Sequence, residues 1–182
     1  MHLPLESEGH LAVEKDTLNC SMSEHEIRQR LDGLLKSVPE IVGVNNHQGS
    51  KATKDTRIMG IIFSELHKNG LFFLDSRTTR RSVCPQTARD TGIKFAQSDG
   101  FIDLPPSRLD ENEYQEYVRK NLERISAAAE KRGYAIMIGH DLEPTLDLLS
   151  REIPKMEQKG FKFVFLSELV RSTETTQAEK SR

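Results

Sequence analysis

Short, almost continuously apolar runs alternate along this chain with segments of helical period, and that alternation limits the folds open to it. Ile41-Val42-Gly43-Val44, Leu71-Phe72-Phe73-Leu74, Ile93 to Ala96, Tyr134 to Ile138 and Phe161 to Leu166 read as five strands. Strands apolar on both sides, separated by helices, pair in parallel beneath helical layers. The expected class is therefore α/β.

The intervening helices carry their own boundary signals. Over 23–37, Ile27, Leu31, Leu34 and Leu35 share one face, and Ser23 with Glu26 has capping-box spacing. Over 55–68, Ile58, Ile61, Ile62 and Leu66 face inward, with Gly70 beyond the end. A short helix over 85–91 starts with Pro85 and stops at Gly92. Asp110 and Glu113 form a second capping box before a long helix that Gly133 ends, and Pro144 starts another that reaches Gln158. The stretch from Gln97 to Asp110 reads as a loop on the sheet rim. Residues 1–170 are expected to form one domain, and the polar, aperiodic 171–182 a disordered tail.

Composition excludes several classes. The chain has 182 residues and a formal net charge of -2, without a Lys/Arg run, so nucleic acid is not an expected partner. No apolar stretch approaches the ~20 residues of a transmembrane helix. Cys20 and Cys84 match no zinc or redox spacing and read as free or buried thiols. The opening Met1-His2-Leu3-Pro4-Leu5-Glu6 lacks the regions of a signal peptide and reads as the end of a strand.

In parallel α/β folds chemistry gathers at the carboxyl ends of the strands. Here those ends carry His2, then Asn45-Asn46-His47-Gln48-Gly49-Ser50, then Asp75-Ser76-Arg77-Thr78-Thr79, then Asp99 and Asp103, then Gly139-His140-Asp141. Taken singly, each has an ordinary reading: Asp75 as a cap or turn residue, Arg77 as a surface or ion-paired side chain, Asn45-Asn46 as a turn. Three histidines at equivalent topological positions favour a shared role. Imidazole nitrogen with carboxylate oxygen suits zinc or a similar divalent ion at a catalytic site. His10, His25 and His67 fall on a loop or helix faces and read as surface residues. The chain has no Gly-rich phosphate loop and no Gly-x-Ser-x-Gly elbow, which leaves nucleotide enzymes and serine hydrolases without support.

The blocks His2-Leu3-Pro4-Leu5-Glu6, Val42-Gly43-Val44-Asn45-Asn46-His47-Gln48-Gly49-Ser50, Gly70-Leu71-Phe72-Phe73-Leu74-Asp75-Ser76-Arg77-Thr78 and Ile138-Gly139-His140 resemble, in order and spacing, the signatures of the divergent polysaccharide deacetylases. The resemblance runs from Met1 to about Val170. It implies an incomplete, deformed (β/α) barrel of the polysaccharide deacetylase type, lacking its first strands. It also implies a metal-dependent hydrolase removing N- or O-acetyl groups from a carbohydrate. The implied cofactor is a divalent metal, zinc foremost, on His2 and His47. His140 is the implied acid. The base falls to Asp75 or to an Asp of the family's opening Asp-Asp-x-Gly block, which this sequence does not contain. Asn45, Asn46, Ser50, Arg77 and Thr78 are expected to contact the acetylated carbohydrate, with Arg77 and Asp99 pairing as an outer support. An extracytoplasmic location, secreted or in the cell envelope, follows from the same resemblance.

Two further departures concern substrate fit. The family's Arg-Asp-Val-Phe-Leu-Asp block appears as Ser98-Asp99-Gly100-Phe101-Ile102-Asp103, and the Pro after Gly-His is Asp141. The alternative reading is a non-catalytic envelope relative that binds glycan or protein.

Overall fold

The computed structural model describes residues 1–9 and 14–170 and divides into two compact units. The first covers Met1–Gln97 and takes in the described residues from Ser167 onward; the second is Ser98–Leu166. His10 and the expected tail at 171–182 lie outside the described residues.

Four parallel strands make the sheet of the first unit: β1 (His2–Leu5), β2 (Gly43–Gln48), β3 (Phe72–Asp75) and β4 (Phe95–Gln97), in that spatial order. Helices α1 (Glu24–Ser37), α2 (Thr56–Lys68) and α3 (Cys84–Thr91) connect them in turn. A parallel pair needs such a crossover because the chain must return to the same end of the sheet. The helix boundaries follow local chemistry. Ser23 and Glu26 close the capping box on α1, and the Asp55 carboxylate accepts from the Arg57 and Ile58 N–H groups at the start of α2. Gly92, at φ 70°, ends α3 in a left-handed conformation that a residue with Cβ resists.

Register fixes which side chains share a face. His2 pairs with Asn45 and Pro4 with His47, while Asn45 pairs with Leu74 and Leu74 with Ala96. Side chains alternate along each strand. One face therefore carries His2, Asn45, His47, Leu74 and Ala96. The other carries Leu3, Leu5, Val44 and Phe73, which are buried in one cluster with Ile27, Leu31, Ile58, Ile62, Phe63, Leu66 and Ala88 of the three helices. Removing each such side chain from water contributes roughly 1.5–3 kcal/mol. Phe63 of α2 meets Phe73 of β3 at a ring-centroid distance of 4.8 Å. Gly43 is needed on the other face, because a Cβ there would sit 2.3 Å from the Phe72 ring.

Beyond β1 the sheet is bordered by Leu18. The Leu18 N–H donates to the Pro4 carbonyl, and the Glu6 N–H donates to the Leu18 carbonyl, both at 3.0 Å.

The second unit has its own two-stranded parallel sheet, β5 (Gly100–Phe101) with β6 (Met137–Ile138). Helices α4 (Glu111–Arg132) and α5 (Glu143–Gln158) pack with it around Ile102, Val118, Leu122, Ile125 and Leu148. Asp110 and Glu113 cap α4 reciprocally, and Gly133 ends it at φ 86°. Neither sheet closes on itself.

One expected strand is absent. Residues 161–165 belong to no strand, and a short helix α6 (Leu166–Leu169) begins at Leu166. An apolar run becomes a strand only beside a partner edge that takes up its backbone groups, and here Phe165 is 81% exposed. The strand expected over 134–138 shortens to Met137–Ile138. No helix among the described residues is long and apolar enough to cross a membrane.

The two cysteines are free thiols. Burial raises Cys84 to about 12 and, with the Glu6 carboxylate beside it, Cys20 to about 11. The thiolate is the reactive form, so near pH 8 Cys20 should react roughly a hundredfold, and Cys84 roughly a thousandfold, more slowly than a free thiol. Thiol titration of native against urea-unfolded protein checks this, and equal rates in the two states would refute it.

Candidate metal and acid sites

The imidazoles of His2 and His47 meet on the sheet face opposite the helix-covered core. His47 Nδ1 stands 2.9 Å from His2 Nε2, and the rings lie edge to face at 67°. Adjacent strands in register create this meeting: His2 opposes Asn45, two residues before His47. The other nitrogen of His47, Nε2, lies 3.2 Å from a Glu14 carboxylate oxygen. The Glu14 carboxylate thus stands beside the ring on the side away from His2, and which of the two facing nitrogens donates depends on the tautomer. Burial holds the His2 imidazole below its ordinary value, with the His47 ring acting in the same direction and a hydrogen bond with the Asn45 side chain opposing it. A neutral imidazole has a lone pair to donate.

These nitrogens suit a divalent cation. Two imidazoles bound at zinc–nitrogen distances of about 2.0–2.1 Å bring their nitrogens within about 2.9–3.4 Å of each other. The donor chemistry thus fits two positions of a coordination shell. Among the described residues no group of three His, Cys, Asp or Glu side chains converges to complete it.

The other residues at these strand ends hold the backbone in shape. Asn46 points to the opposite face from His47 and is buried. Its amide nitrogen donates to the Gln48 carbonyl at 2.7 Å, and its amide oxygen accepts from the Ser76 N–H at 2.8 Å. The Ser76 hydroxyl returns a bond to the Asn46 carbonyl at 2.9 Å, and Thr78 donates to the Gln48 carbonyl at 2.9 Å. This cross-link ties the end of β2 to the turn after β3. It holds Gln48 and Arg77 at φ 55° and 56°, a region costly for residues with Cβ. The Asn46 amide and the Thr78 hydroxyl, both expected to contact the carbohydrate, are engaged by the neighbouring backbone, Asn46 buried and Thr78 half-buried. The Ser50 hydroxyl accepts from the Glu8 N–H at 2.9 Å, and Asn45 reaches the Ser76 hydroxyl at 3.4 Å. Arg77 is exposed beside them.

Asp75 also departs from expectation. It has no exposed surface. Its carboxylate accepts from the Arg77 N–H at 2.8 Å, the Ser82 hydroxyl at 2.7 Å and the Gln97 amide at 3.0 Å. Strand alternation puts it on the helix-covered face, away from the imidazoles. Its structural work is to bind the β3 turn to β4 and the approach to α3, and a role as general base does not fit that position.

In the second unit His140 follows β6. Its Nδ1 lies 2.9 Å from Asp103 Oδ1, and its backbone N–H donates to Asp103 Oδ2 at 2.5 Å. The Asp103 side chain is fully buried, whereas that of His140 is 44% exposed. An ionised carboxylate only accepts, so Nδ1 carries a proton and Nε2 is left for an outside group. Phe101 stacks on the ring, with centroids 5.7 Å apart and planes 12° apart. At Gly139 a Cβ would lie 3.2 Å from the Ile102 side chain, a tight contact, and 3.5 Å from Asp103 Oδ2, an ordinary one. Sequence reasoning noticed Asp103 without assigning it a role; the pairing of β5 with β6 is what sets it beside His140.

Asp99, expected as an outer support, stands at the start of β5, whereas His140 and Asp103 stand beyond the strand ends. Its carboxylate meets Arg132 at 2.7 Å and the Ile136 N–H at 2.9 Å. It fastens the end of α4 to the entry of β6.

The family model for divergent polysaccharide deacetylases matches residues 1–170. The chain belongs to that family. It is similar to an uncharacterized protein of Haemophilus influenzae, 31% identical over 158 residues, covering 85% of this chain and 54% of the relative. The uncharacterized protein YibQ of Escherichia coli is 31% identical over 153 residues, covering 84% of this chain and 46% of the relative. The chain thus spans about half the length of these curated relatives. Among solved structures, the uncharacterized protein ATU2773 of Agrobacterium tumefaciens shares the fold with a TM-score of 0.85 at 20% identity, over 93% of this chain and 67% of that one. The α/β fold and the family are established by these matches.

Proposed function

We propose that this member of the family is a metal-dependent hydrolase that removes acetyl groups from a carbohydrate. The observation that carries the reading is the approach of His47 Nδ1 to His2 Nε2 at 2.9 Å on the sheet face opposite the buried core, with a Glu14 carboxylate oxygen 3.2 Å from the other nitrogen of His47. These two nitrogens would hold the cation. When bound, a divalent cation polarises an acetyl carbonyl and brings the pKa of water toward ~7.

The second unit, taken by itself, carries an acid candidate. His140 has the composition of a general acid: a partly exposed ring with Nδ1 held by a buried carboxylate. Asp103 would stabilise its imidazolium, which would give the Nε2 proton to a departing amine or alkoxide. Phe101 limits the ring to one orientation. Asn45, Ser50 and Arg77 remain candidates for contact with sugar hydroxyls.

The test is acetate release from acetylated oligosaccharides by zinc-loaded protein. Release should be lost in both His47→Ala and His140→Ala. Saturable binding of the acetylated oligosaccharide with no acetate formed would instead favour a non-catalytic glycan-binding role.

A further inference from the structure

The Asp103–His140 pair does not end at the carboxylate. Asp103 Oδ2 lies 3.3 Å from the hydroxyl of Thr145, which is fully buried in the first turn of α5. That hydroxyl lies 2.7 Å from the Tyr114 hydroxyl of α4. The direction of these bonds follows from valence. An ionised carboxylate offers no proton, so the single Thr145 hydrogen goes to Asp103. Tyr114 must then donate to Thr145.

We infer that Tyr114 and Thr145 form a hydroxyl relay that positions Asp103 and sets the basicity of His140. The relay draws negative charge away from Oδ2, and the His140 ring is bound to the same carboxylate through Oδ1. Hydrogen bonds in a chain polarise one another, and a carboxylate that accepts more of them holds a neighbouring cation less tightly. The relay therefore keeps His140 from becoming too basic to give up its proton. It also anchors both flanking helices to the end of β5, so the ring is oriented by α4, α5 and the strand together. Among the described residues of the second unit, Asp103 faces His140 from the end of β5, Tyr114 lies behind Thr145 on α4, and Asp141 and Glu143 follow it toward α5. The benefit to catalysis rests on the deacetylase reading; the relay itself does not.

The experiment is a pH titration of the His140 ring nitrogens by NMR in wild-type protein, Thr145→Val, Thr145→Ser and Tyr114→Phe. A carboxylate that loses one hydrogen bond holds a neighbouring imidazolium more tightly. Thr145→Val should raise the His140 pKa by about half a unit. Tyr114→Phe should raise it by less, and Thr145→Ser should restore the wild-type value. A structural role alone would lower thermal stability without moving the titration. An unchanged His140 pKa in Thr145→Val and Tyr114→Phe overturns the relay, as does failure of Thr145→Ser to restore it. Tyr114→Phe removes one atom from a half-buried ring, so the relay stays testable should Thr145→Val fold poorly. If the titrations behave as expected and no acetate is released, the deacetylase reading fails and the relay stands.

Discussion

Replacing His47 with alanine is expected to weaken zinc binding by at least about a hundredfold. Disturbing a group that merely orients a ligand costs 10–100-fold in metal affinity, and removal of one of two visible donors costs more. The fold should survive. The His47 side chain is 35% exposed and lies outside the buried cluster, so the melting temperature of the metal-free variant should stay near that of the parent. Glu14→Gln should fall between, because the amide keeps the shape of the side chain beside the ring but removes its charge. Affinity should rise with pH across the histidine range, since a ligand must shed its proton first. Competition titration with a chromophoric chelator measures each value. Equal affinity of parent and His47→Ala would remove the basis of the hydrolase proposal.

The second large effect concerns stability. Asp75→Ala should cost about 3 kcal/mol, because it leaves the Ser82 hydroxyl, the Gln97 amide and the Arg77 N–H without their buried acceptor. For a chain of this size that corresponds to roughly 6–12 °C in melting temperature. Asp75→Asn keeps the shape and part of the accepting capacity, so it should cost appreciably less. The same pair of variants separates the structural role from a catalytic one. Were Asp75 the general base, Asp75→Asn would abolish acetate release at nearly unchanged stability.

The helices were legible in the sequence because their signals are local. Ser23 with Glu26, Asp55, Gly92, Asp110 with Glu113 and Gly133 each act within one turn, and each stands where the spacing put it. The parallel strands were legible from their apolar runs. What escaped depends on partners distant in sequence. The run at 161–165 has strand composition yet belongs to no strand. Asp75 and Asn46 look like site residues at strand ends, yet their direction depends on alternation counted from the register of β2 with β3. Asp99 and Asp103 are four residues apart in one stretch, and only the pairing of β5 with β6 sends the first to Arg132 and the second to His140. The division after Gln97 falls at the start of the stretch that the sequence marks as a loop.

Leu18 and Pro4 have a consequence for handling the protein. An outermost strand with open amides is a template on which other molecules assemble into filaments. Here proline removes one amide from that rim, and Leu18 occupies the neighbouring carbonyl and amide. That rim should accordingly resist edge-to-edge pairing, and a Pro4→Val, Leu18→Pro double variant should aggregate sooner than the parent on concentration.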